Sequence, residues 1–341
     1  MTTHNGHDLA LPETPPPPTD ADAVSVAVVI CAYTTERWDA LCAAVDSVLR
    51  QQHPVQEIIL VIDHNHDLYQ QALSRFGAHR DISVVANAGA CGLSAARNTG
   101  LAAATSDVVA FLDDDACADP QWSAAMVAHY RDGQVAAVGG YAAPRWPETR
   151  PSWLPEEFDW VVGCSYRGQP TEVAPVRNPL GCNMSVRRRV LTAVDGFDTA
   201  VGRIGGAATG CDETELCIRI RQRTPAAQIL FDPGMRVNHI VTPDRATFRY
   251  FARRCYYEGV SKAVMSGLVG ARDGLSSERA YTRRVLPRAV ARGVLSHSRT
   301  GLTHAAVVIA GLGITSAGYV LGLVRETVFD RVRAVLQSGR R

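Results

Sequence analysis

Lysine is nearly absent from this 341-residue chain: Lys262 stands alone against 34 arginines. No two of the nine cysteines form a CxxC pair; they are scattered at 31, 42, 91, 117, 164, 182, 211, 217 and 255. A zinc cage or a disulfide framework needs clustered or regularly spaced thiols, so neither is expected and a reducing compartment is favoured. The first 22 residues contain no apolar stretch and are interrupted by Pro12 and Pro15 through Pro18. A secretory leader is therefore not expected, and residues 1–23 read as a disordered, proline-rich leader with polyproline character. No internal repeat is visible, which excludes solenoids and propellers.

Net charge is also nearly absent, formally +1 from 35 basic and 34 acidic side chains. That balance averages two unlike parts. Residues 1–244 carry 18 Arg and 29 Asp or Glu, a net of −11, whereas residues 245–341 carry 16 Arg, one Lys and 5 acids, a net of +12. Such asymmetry points to an anionic partner for the basic part. With 46% hydrophobic and 20% charged residues the chain is globular in composition.

Along residues 24–140, strand and helix patterns alternate. Residues 24–31, 57–62, 82–86, 107–112 and 135–140 are short runs of apolar, largely β-branched residues, as expected of strands covered on both faces. Between them, residues 36–52, 67–77, 92–105 and 120–131 have helical spacing. The alternation predicts an α/β fold, a mostly parallel, Rossmann-like sheet flanked by helices. Ligands of such sheets collect beyond the carboxyl ends of the strands. Polar residues stand there: Tyr33-Thr34 after the first strand, Asp63 after the second, Asp113-Asp114-Asp115 after the fourth. Residues 143–177 hold six prolines and three tryptophans and are expected to drape irregularly over a cleft. A strand at 178–187, a mobile Gly/Ala-rich stretch at 202–210, a helix at 212–223 and two short strands at 229–231 and 235–240 follow.

The Asp triplet can converge on one hard divalent cation, which in turn holds a diphosphate; a solvated acidic turn is the plainer alternative. Asp63 can accept a hydrogen bond from a nucleobase with the backbone of Tyr33-Thr34 holding the ring, or serve as an Asx turn. Arg97 lies on the first turns of a helix, where both the cation and the helix terminus suit phosphate. Asp212 and Glu213 open a helix, either as dipole complements or as a general base for an acceptor hydroxyl. His239, at a strand end, can complete a metal's ligand set.

Seven segments, VVICAY at 28–33, EIILVID at 57–63, GLSAARNTG at 92–100, FLDDD at 111–115, GCNMSVR at 181–187, GFD at 196–198 and DETEL at 212–216, follow the order seen in family 2 glycosyltransferases. The resemblance covers roughly residues 24–245. It implies the GT-A fold, a nucleotide-sugar donor, UDP-linked, and inversion at the anomeric carbon. By the same resemblance Asp63 binds the base, and Asp113 and Asp115 form the DxD site for Mn²⁺ or Mg²⁺. Asp114, Arg97, Tyr33 and Thr34 join the donor site, Glu213 stands where the catalytic base lies, and His239 matches a downstream metal ligand. The family usually shows Glu-Asp where this chain has Asp212-Glu213, so Asp212 is the competing base. The rival readings are a nucleotidyltransferase of related fold and a catalytically silent nucleotide-binding membrane adaptor.

The chain thus divides into a leader (1–23), a catalytic domain (24–243) and a basic helical region (244–341). Within the last, residues 300–324 contain no Asp, Glu, Lys or Arg. As a helix they reach about 37 Å, enough to cross a bilayer core, and Gly318 and Gly322 give a GxxxG spacing. Thr303, His304, Thr315 and Ser316 count against a span, and arginines on both flanks give no orientation. Arg284, Arg288 and Arg292 recur on one face with Leu286, Val290 and Val294 on another, and Pro287 starts or kinks that helix. The region therefore reads as a platform for an anionic membrane surface at the cytoplasmic face, and for a lipid-linked hydroxyl acceptor or a cell-surface glycan, rather than for nucleic acid. A helical hairpin packed on the catalytic domain is the alternative.

Overall fold

The computed structural model describes residues 24–201, 210–270 and 276–338. The leader at 1–23 and most of the Gly/Ala-rich stretch, 202–209, lie outside the described residues.

The chain is α/β, as its patterning predicts. Four parallel strands, β1 (Val26–Ala32), β2 (Glu57–Ile62), β3 (Ile82–Ala86) and β4 (Val108–Asp113), form the first half of the sheet in the order β3-β2-β1-β4. Every residue of β1 except Cys31 is buried. Successive side chains alternate between the two faces, so these unalternating apolar runs feed two cores. Val28, Ile30, Leu60 and Leu112 meet helices α1 (Trp38–Leu49) and α2 (His66–Phe76) through Leu41, Val45 and Leu68. Ala27, Val29, Val61 and Phe111 meet α3 (Leu93–Ala103) through Ala96 on the other face. Phe111 also packs edge-on against Phe197, ring centroids 5.1 Å apart; truncating it to Ala would cost about 3–5 kcal/mol.

The second half of the sheet is mixed. β5 (Ala116–Ala118) and α4 (Trp122–His129) follow the Asp triplet, then β6 (Val135–Arg145) and β7 (Ala174–Pro175). β8 (Asn183–Arg187) runs antiparallel between β4 and β6. Its residues are buried on both faces, so its pattern says strand but carries no direction. β6 outruns the expected 135–140 because it continues past a register shift between Gly140 and Tyr141 while pairing with β9 (Gln228–Ile240). β9 likewise joins the two expected short strands into one. Helices α5 (Arg188–Ala193) and α6 (Asp212–Arg223) cover the second face through Leu191, Leu216 and Ile220.

The basic region is helical. α7 (Phe248–Val269) is capped by the Thr247 hydroxyl, which accepts from Tyr250 N. A short helix α8 (Ser276–Ala280) and a π-helical turn (Tyr281–Val285) lead into α9 (Leu286–Leu295); the backbone is already helical at Val285 and Leu286, so Pro287 lies in the first turn of α9 and does not open a new helix. α10 (Arg299–Ser338) is one continuous helix. Leu154, Phe158 and Val161 of the Pro/Trp-rich segment share a core with Phe251, Cys255, Leu286, Val307 and Val308. That segment is therefore the layer between the sheet domain and the helices, and part of it is a 3₁₀ helix, Glu156–Val162.

Candidate active site

β4 ends in Asp113, and the turn through Asp114 and Asp115 feeds β5, a three-residue strand that the Asp-rich turn conceals in the sequence. β5 pairs antiparallel with β9 and sets Ala116 opposite His239. This register brings His239 Nε2 to 3.2 Å from Asp115 Oδ1. Arg37 Nη1 donates to Asp114 Oδ1 at 3.0 Å and lies 3.3 Å from Asp115 Oδ2, which is also 3.6 Å from Arg245. One ligand atom each from Asp113, Asp115 and His239 lie within 4.8 Å of one another. Two further atoms here, Asp114 Oδ2 and His239 Nδ1, are buried without a partner. A hard oxygen and imidazole donor set of this kind fits Mn²⁺ or Mg²⁺.

The charges respond to this crowding. Burial pushes the Asp115 carboxyl up, but His239, Arg245 and Arg37 outweigh it and hold it below the usual carboxylate range. Burial pulls the His239 imidazole down, and Asp115 more than offsets this, raising it to about 10. Burial first and Asp115 second push the Asp114 carboxyl up, against the pull of Arg37.

The second pair of acids opens α6. Cys211, just before it, takes a left-handed conformation at φ 77°, and His64, just after Asp63, does so at φ 51°. Non-glycine residues pay strain for this geometry, and such strain clusters at functional sites. Asp212 is buried, its Oδ2 accepting from Arg97 Nη1 at 2.7 Å. Glu213 is half-buried and lines the cleft. Burial and then the Asp212 charge push its carboxyl up to about 8. Arg97 itself is 3% exposed and its guanidinium lies against both the Phe111 and Phe197 rings. Its Nη2 donates to Gly181 O at 2.8 Å and reaches Asp113 Oδ1 at 3.4 Å. One buried guanidinium thus ties the metal-site acids to the acids of α6.

Arg97, Asp113, Asp212, Glu213 and His239 come together around one cleft, with Trp160, Arg245 and Arg254 on its wall. Asp114 and Asp115 stand behind Asp113, buried. Tyr33, Thr34 and Asp63 do not line this cleft; they stand at the ends of β1 and β2, next along the same edge of the sheet. Tyr33 is exposed, and Thr34 caps a turn by accepting from Glu36 N at 3.2 Å. Asp63 is buried, with Oδ1 accepting from Asn87 at 2.6 Å and Oδ2 from Gly92 N at 2.9 Å, so it also clasps the loop before α3. Sequence reasoning missed Arg37, Asn87, Trp160, Arg245 and Arg254. Position relative to a strand end could have flagged Arg37 and Arg245; nothing local marks the others.

Strand-end acids, a convergent metal-type cluster and a second acidic pair across one cleft define an α/β enzyme of the transferase kind. The profile of glycosyl transferase family 2 matches residues 27–194. A glucosyl-dolichyl phosphate glucuronosyltransferase of Haloferax volcanii is 37% identical over 243 residues, 71% of this chain and 77% of that protein. The chain belongs to glycosyl transferase family 2, and it is a glycosyltransferase. Among solved structures, a mannosyltransferase of Pyrobaculum calidifontis with GDP-mannose and Mn²⁺ is similar at TM-score 0.54, with 18% identity, covering 86% of this chain and 87% of that one. GalNAc-T7 with UDP, GalNAc and Mn²⁺ is similar at TM-score 0.52 and 17% identity, covering 82% of this chain, which spans 59% of that structure's length. Both likenesses concern the fold, which is of the GT-A type expected.

Proposed function

We propose that this protein moves a sugar from a nucleoside diphosphate donor, UDP-linked, to a hydroxyl of a lipid-linked acceptor at the cytoplasmic face of a membrane, with inversion. The observation that carries the reading is the gathering of two acid sets at one cleft, Asp113 and His239 on its lining with Asp115 clustered behind them, and Glu213 on the same lining. Asp113, Asp115 and His239 would hold Mn²⁺ or Mg²⁺, which when bound neutralises charge on a diphosphate leaving group. Asp63, Tyr33 and Thr34 would receive the nucleobase end of the donor, and Asp114 the part between. Arg97, already bonded to Asp212 and Gly181, would keep both acid sets in register rather than carry phosphate by itself.

Glu213 is the base in this reading. Asp212 is buried with its Oδ2 engaged by Arg97 at 2.7 Å. Glu213 keeps a raised proton affinity, as a general base working near neutrality needs. Asp212 then acts on Glu213 through its charge. The named activity of the haloarchaeal relative supports a lipid-phosphate-linked sugar as acceptor, and the basic helices α7 to α10 support a membrane surface beside it. Titrating UDP- and GDP-sugars into the protein with Mn²⁺ and with EDTA tests the donor site. Metal-dependent binding that Asp113→Ala abolishes is expected; binding indifferent to both would overturn the assignment.

A further inference from the structure

We propose that α10 lies along one leaflet of an anionic bilayer and does not cross it, the outward stripe of residues 302–324 being the contact surface. This rests on the membrane reading above and determines how that membrane is met.

By length and composition α10 can span: within Arg299–Val324 the most apolar 18-residue window has a mean hydropathy of 2.0. Its packing argues otherwise, because its two sides differ. Gly301, Ala305, Val308, Gly311, Gly318 and Gly322 are buried against the protein, while Leu302, Ile309, Leu312, Val320 and Leu323 are exposed. These positions recur at helical spacing and form one stripe, about 32 Å long. The small residues let α10 approach α7 to backbone distance. A Cβ on Gly259 would lie 2.0 Å from Thr315 O, and one on Gly318 would lie 2.1 Å from Tyr256 O. The GxxxG pair is therefore spent on α7 and is not available to another spanning helix.

α7 in turn is bound to the catalytic domain by charges on another of its faces. Glu258 pairs with Arg254 and with Lys262, both at 2.9 Å. Lys262 reaches Glu278 at 2.5 Å, and Glu278 pairs with Arg177 at 2.6 Å. All five side chains are largely buried. For α10 to cross a bilayer it would have to leave α7, uncovering Phe251 and Cys255, or take this charged helix and its domain into hydrocarbon. Both alternatives are strongly unfavourable. A helix lying in the interface needs neither.

The surroundings fit an anionic lipid surface in particular. Arg279, Arg283, Arg284, Arg288 and Arg299 are exposed on the same helical unit, as are Val294 and Leu295 at the corner between α9 and α10. Between residues 278 and 324 the single acid, Glu278, is engaged by Lys262 and Arg177. Basic side chains beside an exposed apolar stripe are the pattern of a helix seated at the headgroup level.

The test uses the full-length protein and vesicles of phosphatidylcholine with or without phosphatidylglycerol. Leu302→Trp, Ile309→Trp and Val320→Trp are each measured for quenching by lipids brominated at different depths, against the unsubstituted protein's tryptophan background. One shared, shallow depth is expected, and Ile309→Glu with Val320→Glu should lower partitioning about tenfold or more. Shallow ends with a deep centre would show a span and overturn the proposal, as would binding without quenching of the new tryptophans. A self-associating protein whose stripe variants turn monomeric would make a second copy the occupant and also overturn it. Absence of binding to anionic vesicles would sink the membrane reading itself. Nucleoside diphosphate release by the stripe variants on a water-soluble acceptor separates both failures from failure of the transferase assignment.

Discussion

Replacing Glu213 by Gln tests the division of labour between the two acids of α6. Gln keeps the side chain's shape and its place on the cleft wall but can neither ionise nor take a proton. The wild-type carboxyl is raised to about 8 by burial and by Asp212. Only the ionised form accepts a proton, so kcat/KM should climb about tenfold per pH unit below 8 and level above it. At pH 7 the enzyme should run at roughly one-tenth of its plateau. Glu213→Gln should remove that limb and lower kcat by about 10²–10⁴-fold, with donor affinity within a factor of a few of wild type. Asp212→Asn should behave differently. It removes a neighbouring negative charge, so the limb should move toward lower pH, and it frees Arg97, which should weaken donor binding as well. Nucleoside diphosphate release followed from pH 5.5 to 9.5 reads all of these. The reasoning fails if Asp212→Asn abolishes turnover while sparing binding and Glu213→Gln retains the limb.

The remaining expectations concern metal affinity and the helical region. His239→Ala should weaken Mn²⁺ affinity at least about tenfold by calorimetry, with the folded circular-dichroism signal intact. Lys262→Met should lower the unfolding free energy by about 3–5 kcal/mol, because it leaves Glu258 and Glu278 largely buried with one cation fewer; urea melts check this, and an unchanged midpoint would contradict the structural role of the ion network. Gly259→Val should destabilise by about 1–3 kcal/mol or more, since its side chain would strike the backbone of α10 at Thr315. Trypsin should then release α10 faster than in the unsubstituted protein.

The parallel half of the sheet was legible because β1, β2 and β4 are buried on both faces, and burial on both faces leaves an uninterrupted apolar run; β3, at the sheet edge, is only partly covered. The antiparallel course of β8 was not, since Asn183–Arg187 is equally buried whichever way it runs. β5 escaped notice because three residues after an Asp triplet carry no periodicity, yet its pairing with β9 is what delivers His239 to Asp115. Asp113, Asp115, Glu213 and His239 were readable as types at strand and helix ends. Their convergence was not, because it depends on Arg97, whose spacing in the sequence looks like a phosphate ligand and whose buried guanidinium bridges the two acid sets. Trp160 and Arg254 reach the cleft through the packing of the Pro/Trp-rich segment on α7, a long-range contact that local pattern does not encode. The apolar stretch at 300–324 was visible as a helix, while the choice between burial, span and surface turns on which stripe meets α7.

The most direct test of the account is sugar transfer itself. The full-length protein is supplied with UDP- and GDP-sugars, vesicles carrying a polyprenyl-phosphate-linked sugar, and either Mn²⁺ or EDTA. Nucleoside diphosphate and the extended lipid should form in equal amounts with Mn²⁺, and neither with EDTA or in Asp113→Ala. No metal-dependent product from any donor, or release of pyrophosphate in place of nucleoside diphosphate, would contradict it.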